Sequence, residues 1–146
     1  MAFSRFGETL ALMNTAFHDE IVRRFPEVLP FINDGDEELP YLVAGYIVDW
    51  LRTVARPVLD PDVIRRVVDF HLWCINHPEG STAADDVLTI ETVGLIENLF
   101  EHDELLPIIP HLYRMDEFVA NREYLITWVG ADRYQAALVM MQNFVS

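Results

Sequence analysis

The chain contains no lysine, and ten arginines are its only strong cations against 24 aspartates and glutamates, a formal charge of −14 over 146 residues. That balance excludes a basic face of the kind nucleic acid requires, and it disfavours anionic membrane surfaces. Cysteine is nearly absent: Cys74 stands alone, so no internal disulfide is possible and an extracellular disulfide scaffold is excluded. No run of about 18 uncharged apolar residues exists to span a bilayer. The opening MAFSRFGETL lacks a secretory apolar region and cleavage site, from which a cytoplasmic location is expected. The six glycines are dispersed, so none forms a phosphate-cradling loop, and none of the three serines sits in a nucleophile elbow.

What is present is hydrophobic residue in quantity, 51% of the chain. That supports one buried core and one domain over residues 1–146. The spacing of these residues is helical nearly throughout. Phe3, Phe6, Leu10, Met13, Phe17, Ile21 and Phe25 recur at three- and four-residue steps and are stopped by Pro26. A second helix is expected from the Asp36–Pro40 region, with Val43, Ile47, Trp50 and Val54 inward and Pro57 as its stop. Asp60-Pro61 reads as the N-cap and first position of a third helix ending near Asn76. Its inner stripe is Val63, Val67, Phe70 and Cys74. The fourth helix, from Ser81 or Thr82 to about Phe100, has apolar residues on every side, as a buried central helix does. The segment from His102 to His111 reads as a loop or broken short helix because of Pro107 and Pro110. Helices over about Asp116–Val129 and Asp132–Val145 are divided by Gly130. No strand-like alternation appears. The expected fold is all-α, a single irregular bundle of about five to seven helices with a buried helix near residues 83–100 at its centre.

Chemistry is sparse. No histidine follows an acid at the three-residue spacing of di-iron bundles. His71, Cys74 and His77 are too few and ill placed for structural zinc, so neither metal nor cofactor is expected. Cys74 with His71 or His77 has the residue types of a thiol nucleophile and base, yet Cys74 lies on the inner stripe, where a thiol is inert. Glu91 and Glu97, inside the apolar fourth helix, read as members of structural ion pairs with Arg52, Arg114 or Arg122, or else as one functional carboxylate with a raised pKa.

Charge distribution is the strongest functional signal. From Val67 to Tyr113 there is no arginine, while nine acids occur, among them Asp69, Asp85, Asp86, Glu101, Asp103 and Glu104. A second cluster, Asp34, Asp36, Glu37 and Glu38, opens the second helix. Either is a solvated face that aids solubility or a surface matched to a basic partner. Trp73 falls on the polar stripe of the third helix with Asp62, Arg66, Asp69 and Asn76, which makes it the candidate binding anchor.

Several phrases together resemble a family: Phe25-Pro26-Glu27-Val28-Leu29, Glu38-Leu39-Pro40-Tyr41, Thr92-Val93-Gly94-Leu95-Ile96-Glu97-Asn98-Leu99, and Tyr124-Leu125-Ile126-Thr127-Trp128-Val129-Gly130. They are similar to a family of small, acidic, all-helical bacterial proteins of unknown function, whose members look like the immunity proteins of antibacterial toxin systems. That resemblance implies a non-enzymatic protein that binds a toxin domain and blocks a basic or nucleotide-binding cleft. The alternatives are a regulatory adaptor and a small hydrolase-like enzyme using Glu97 or the His71/Cys74 neighbourhood.

Overall fold

The computed structural model describes residues 16–82 and 85–144, and all regular structure among them is helical. The first helix, α1, is seen from 16 to 24, with Phe17 and Ile21 buried one turn apart and Phe25 buried just beyond it. The earlier stripe from Phe3 to Met13 lies outside the described residues. Pro26 ends α1 as expected, and Pro26–Phe31 continues as a 3-10 helix. Gly35, at φ +92°, takes the left-handed turn that an L side chain resists. Asp36–Glu38 forms one 3-10 turn.

Pro40 opens α2 (Pro40–Val54), which buries Val43, Ala44, Ile47, Val48, Trp50 and Leu51. The helix stops at Val54, before Pro57, because a residue preceding proline is pushed out of the helical region. Asp60 caps α3 (Pro61–Asn76) by accepting the Asp62 N–H at 2.7 Å. Phe70 sits between Phe17 and Phe25, with ring centroids 6.0 and 5.7 Å away. Arg66 clamps α3 to the preceding 3-10 helix. It donates twice to Glu27 at 2.7 Å and once to the Arg24 carbonyl at 2.8 Å, with its guanidinium over the Phe25 and Trp50 rings.

The central helix, α4, begins later than its apolar wheel suggests. Asp86 is the N-cap, accepting the Thr89 N–H at 3.0 Å and the Gly80 N–H at 2.9 Å, so α4 starts at Val87 and not at Ser81 or Thr82. Ala83 lies outside the described residues. The helix is α-helical over Val87–Glu91, π-helical over Thr92–Ile96, and α-helical again over Glu97–Leu99. It packs on α2 and α3 and, at its end, on the helix beginning at Arg122. Ile90, Glu91, Gly94, Leu95, Ile96 and Leu99 are buried, whereas Leu88 and Val93 reach solvent. The closest approach is at Gly94, where a Cβ would stand 2.8 Å from Ala44 Cβ and 3.0 Å from the Tyr41 carbonyl oxygen of α2.

Asp103–Ile108 is a 3-10 helix that runs into the short α5 (Ile109–Leu112). The expected helix over Asp116–Val129 is two: α6 (Met115–Ala120) and α7 (Arg122–Val129), with a turn at Asn121. Gly130, also at φ +92°, separates α7 from α8 (Ala131–Asn143). A second aromatic stack closes this half of the core. Phe118 lies between Phe100 and Tyr134, nearly parallel to both, at centroid distances of 6.3 and 4.7 Å.

Candidate partner-binding surface

Trp73, the candidate anchor on the polar stripe of α3, is partly exposed. Its ring lies nearly parallel to Phe70 at 5.9 Å, with Phe17 of α1 at 6.5 Å and His77 at 4.9 Å, and the side chain is half-buried against the core. α1 runs along that flank and covers part of the ring. Asp69, one turn before it, is exposed.

The exposed tryptophan is Trp128 on α7. It leaves 61% of its surface to solvent, beside Tyr124, which is 43% exposed. The two rings are 6.3 Å apart and tilted by 49°. Tyr124 is held at its far end, where its hydroxyl donates to Glu97 Oε2 at 2.8 Å. Burial and the neighbouring Glu97 push the Tyr124 hydroxyl up to about 12. Sequence reasoning passed over this pair, but the signal was there. On α7 the inward residues are Leu125 and Val129, and Tyr124 and Trp128 each stand one position before them, at the edge of the inward face.

Several of the acidic candidates are engaged. Asp36 is buried and accepts the Asn33 N–H and the Tyr46 hydroxyl, both at 2.8 Å, which hold its carboxyl below the usual range. Asp85 accepts the Thr82 N–H at 2.6 Å, and Asp86 is occupied as the cap of α4. Glu104 receives Arg52 at 3.1 Å, and Asp103 receives Arg133 at 2.8 Å while staying exposed. Asp34, Glu38, Asp69 and Glu101 are exposed. The side chain of Glu37 lies outside the described residues. Among the described residues no group of three or more His, Cys, Asp or Glu comes together to hold a metal ion.

Among the described residues neither carboxylate of α4 is paired with arginine. Glu91 is fully buried, and its Oε1 lies 2.8 Å from His71 Nδ1. Its Oε2 has no hydrogen-bond partner. Burial raises the carboxyl, and His71 partly offsets the rise. Burial likewise raises Glu97, offset by the Tyr124 hydrogen bond. The expected arginines are engaged elsewhere or exposed: Arg52 pairs with Glu104, Arg114 with Asp116 and Glu117, and Arg122 is exposed. His71 therefore serves Glu91, not Cys74, whose thiol is pushed far up by burial and then by Glu91. A thiol so placed is a poor nucleophile. The surface groove at Tyr41, Tyr46, Asp49, Asn98 and His102, about 270 Å³, includes none of these buried groups.

Among the described residues no helix is long and apolar enough to cross a membrane. No family model, no curated protein and no solved structure matches the chain.

Proposed function

We propose that this is a non-enzymatic interaction protein of the bacterial immunity kind, which binds a basic toxin domain through its acidic surface and blocks that domain's active site in the cytoplasm. The observation that carries the reading is Trp128. A tryptophan this exposed, braced by a tyrosine that is itself tied to Glu97, presents a large rigid apolar surface within an acidic molecule. Aromatic anchors of this kind supply much of the energy of protein interfaces, and the surrounding charge sets encounter rate and partner sign. The enzyme alternative, on Glu97 or the His71/Cys74 neighbourhood, has less to stand on, since Cys74 is sealed in the core and Glu97 is bonded to the Tyr124 hydroxyl.

The test is co-expression with the product of the adjacent reading frame, followed by titration of the purified pair. Stable association that inhibits the partner's activity supports the immunity reading. Trp128→Ala should weaken binding by about 2 kcal/mol or more, the usual hot-spot threshold. Charge reversal at Asp69 and Glu101 should slow association, as should added salt. A partner bound without inhibition turns the reading to the adaptor. Binding indifferent to Trp128→Ala refutes the anchor.

A further inference from the structure

The same trio of groups occurs twice in the fold, once with an arginine and once without. In the core, Phe25 and Trp50 stand 5.8 Å apart and tilted by 53°. The Arg66 guanidinium lies over both rings, 5.4 and 5.0 Å from their centroids, and donates twice to Glu27. At the surface, Tyr124 and Trp128 stand 6.3 Å apart and tilted by 49°, with Glu97 tied to the Tyr124 hydroxyl. There the cation is missing. Glu97 Oε2 accepts the hydroxyl, and Oε1 has no hydrogen bond. Among the described residues the sealed oxygen without a partner is Glu91 Oε2, so Glu97 Oε1 reaches the surface. Arg114 and Arg133 are spent on Asp116, Glu117 and Asp103. Arg122, on α7 itself, stands about 160° round the helical wheel from Tyr124 and about 120° from Trp128.

We infer that Tyr124, Trp128 and Glu97 form a receptor for one arginine side chain of a protein partner, with its guanidinium on the aromatic faces and its N–H groups donating to the Glu97 carboxylate. The inference rests on the partner-binding reading for the source of the arginine, and names the side chain that Trp128 receives. Three arguments select a cation. The faces of both rings carry the negative lobe of the aromatic quadrupole. The chain as a whole has a charge of −14, which draws cations to its surface. An apolar side chain laid over this corner would cover Glu97 Oε1 and strand a carboxylate without water or a donor, a cost that a guanidinium avoids. A guanidinium fits better than an ammonium, because it is flat and weakly hydrated and stacks on a ring while its edge donates to a carboxylate. Arg66 shows that geometry within the same molecule.

The probe is N-acetyl-arginine amide, titrated into the whole isotope-labelled chain while the Trp128 indole N–H signal is followed by NMR, with Trp128→Phe to assign it. A saturable shift is expected, with a dissociation constant on the order of 10–50 mM, as one exposed cation–π contact and one ion pair allow. The citrulline counterpart, of the same shape without the charge, and the leucine amide should each bind about fivefold more weakly or worse. Glu97→Gln keeps an acceptor for the Tyr124 hydroxyl and should weaken the arginine amide about three- to fivefold. No saturable shift up to about 200 mM overturns the inference. So does a citrulline or leucine amide that binds as tightly, or a Glu97→Gln protein that binds the arginine amide as well as the wild type. A lysine amide that binds more tightly overturns the choice of guanidinium. The titration uses no partner, so a failed toxin-binding reading leaves it unaffected, and a failed titration leaves the co-expression result standing.

Discussion

The two glycines at the crossing of α2 and α4 should respond to alanine in opposite directions. Both sit within helices, where replacing glycine ordinarily gains up to about 1 kcal/mol in propensity. At Gly45 the added methyl would meet the Gly94 carbonyl oxygen at 3.8 Å, an ordinary contact, so Gly45→Ala should keep that gain. At Gly94 the methyl would stand 2.8 Å from Ala44 Cβ and 3.0 Å from the Tyr41 oxygen. Reaching even the short end of ordinary contact, 3.4 Å, requires the two helices to part by about 0.6 Å. The obstructing atoms are backbone and a Cβ, which no rotamer change can move. Overpacking of this kind costs about 1–3 kcal/mol, and more where backbone must shift. After the propensity gain, a net loss of about 1–2 kcal/mol remains for Gly94→Ala. In a chain of this size that is a melting temperature about 3–6 °C lower, against a rise of about 2–3 °C for Gly45→Ala. Thermal melts followed by far-ultraviolet circular dichroism measure both. Ala44→Gly in the Gly94→Ala background removes the tightest contact and should recover part of the loss. A Gly94→Ala protein that melts at or above the wild type would refute the close-crossing argument.

The tryptophans provide a second contrast: Trp73→Ala should cost about 2–3 kcal/mol of folding free energy, below the range of a fully buried aromatic because the ring is partly exposed. Trp128→Ala should change stability by no more than about 0.5 kcal/mol, the usual range for surface sites; equal losses at both would refute the assignment of exposure. Glu91 predicts a pH dependence. Its carboxyl is raised in the folded protein above the ordinary 4.5, so its favourable contribution is complete below that pH and is lost as pH rises through the folded value. Glu91→Gln abolishes the titration, so its stability relative to wild type should climb between pH 4.5 and neutrality, by about 1.4 kcal/mol per unit of pKa separation. Denaturant titrations across that range check it, and a flat difference would show that Glu91 is not desolvated. Finally, His71→Ala leaves the buried Glu91 carboxyl without its hydrogen-bond partner and should cost about 1–3 kcal/mol, whereas replacing both members with apolar residues should cost far less.

Local physics made much of the fold legible. Asp60-Pro61 and the stripe through Val67, Phe70 and Cys74 located α3 to the residue, because capping and helical phase are written in neighbouring side chains. The start of α4 was misread because Thr82 and Asp86 are both cap-type residues, and only the tertiary position of Gly80 shows that Asp86 takes the role. Trp73 and Trp128 mark a second limit. Phase says which way a side chain points from its own helix, not whether another helix is waiting there, and α1 is waiting at Trp73. The partners of Glu91 and Glu97 depend on which helices meet α4, and the arginines named for them by charge alone lie elsewhere.

The π-helical turn at Thr92–Ile96 makes α4 sensitive to its residue count as well as its residue types. A wide turn accommodates one residue more than a regular helix would in the same span. Everything beyond it is rotated by about 100° relative to an uninterrupted helix. Glu91 before the turn faces His71 of α3, while Glu97 after it faces Tyr124 of α7, so the wide turn sets the angle between these two contacts. Losing a single residue there would give a more regular helix and a worse protein, because Glu97, Leu99 and Phe100 would swing away from the neighbours they were shaped to meet. Homologous sequences should therefore tolerate substitutions through this stretch more readily than insertions or deletions.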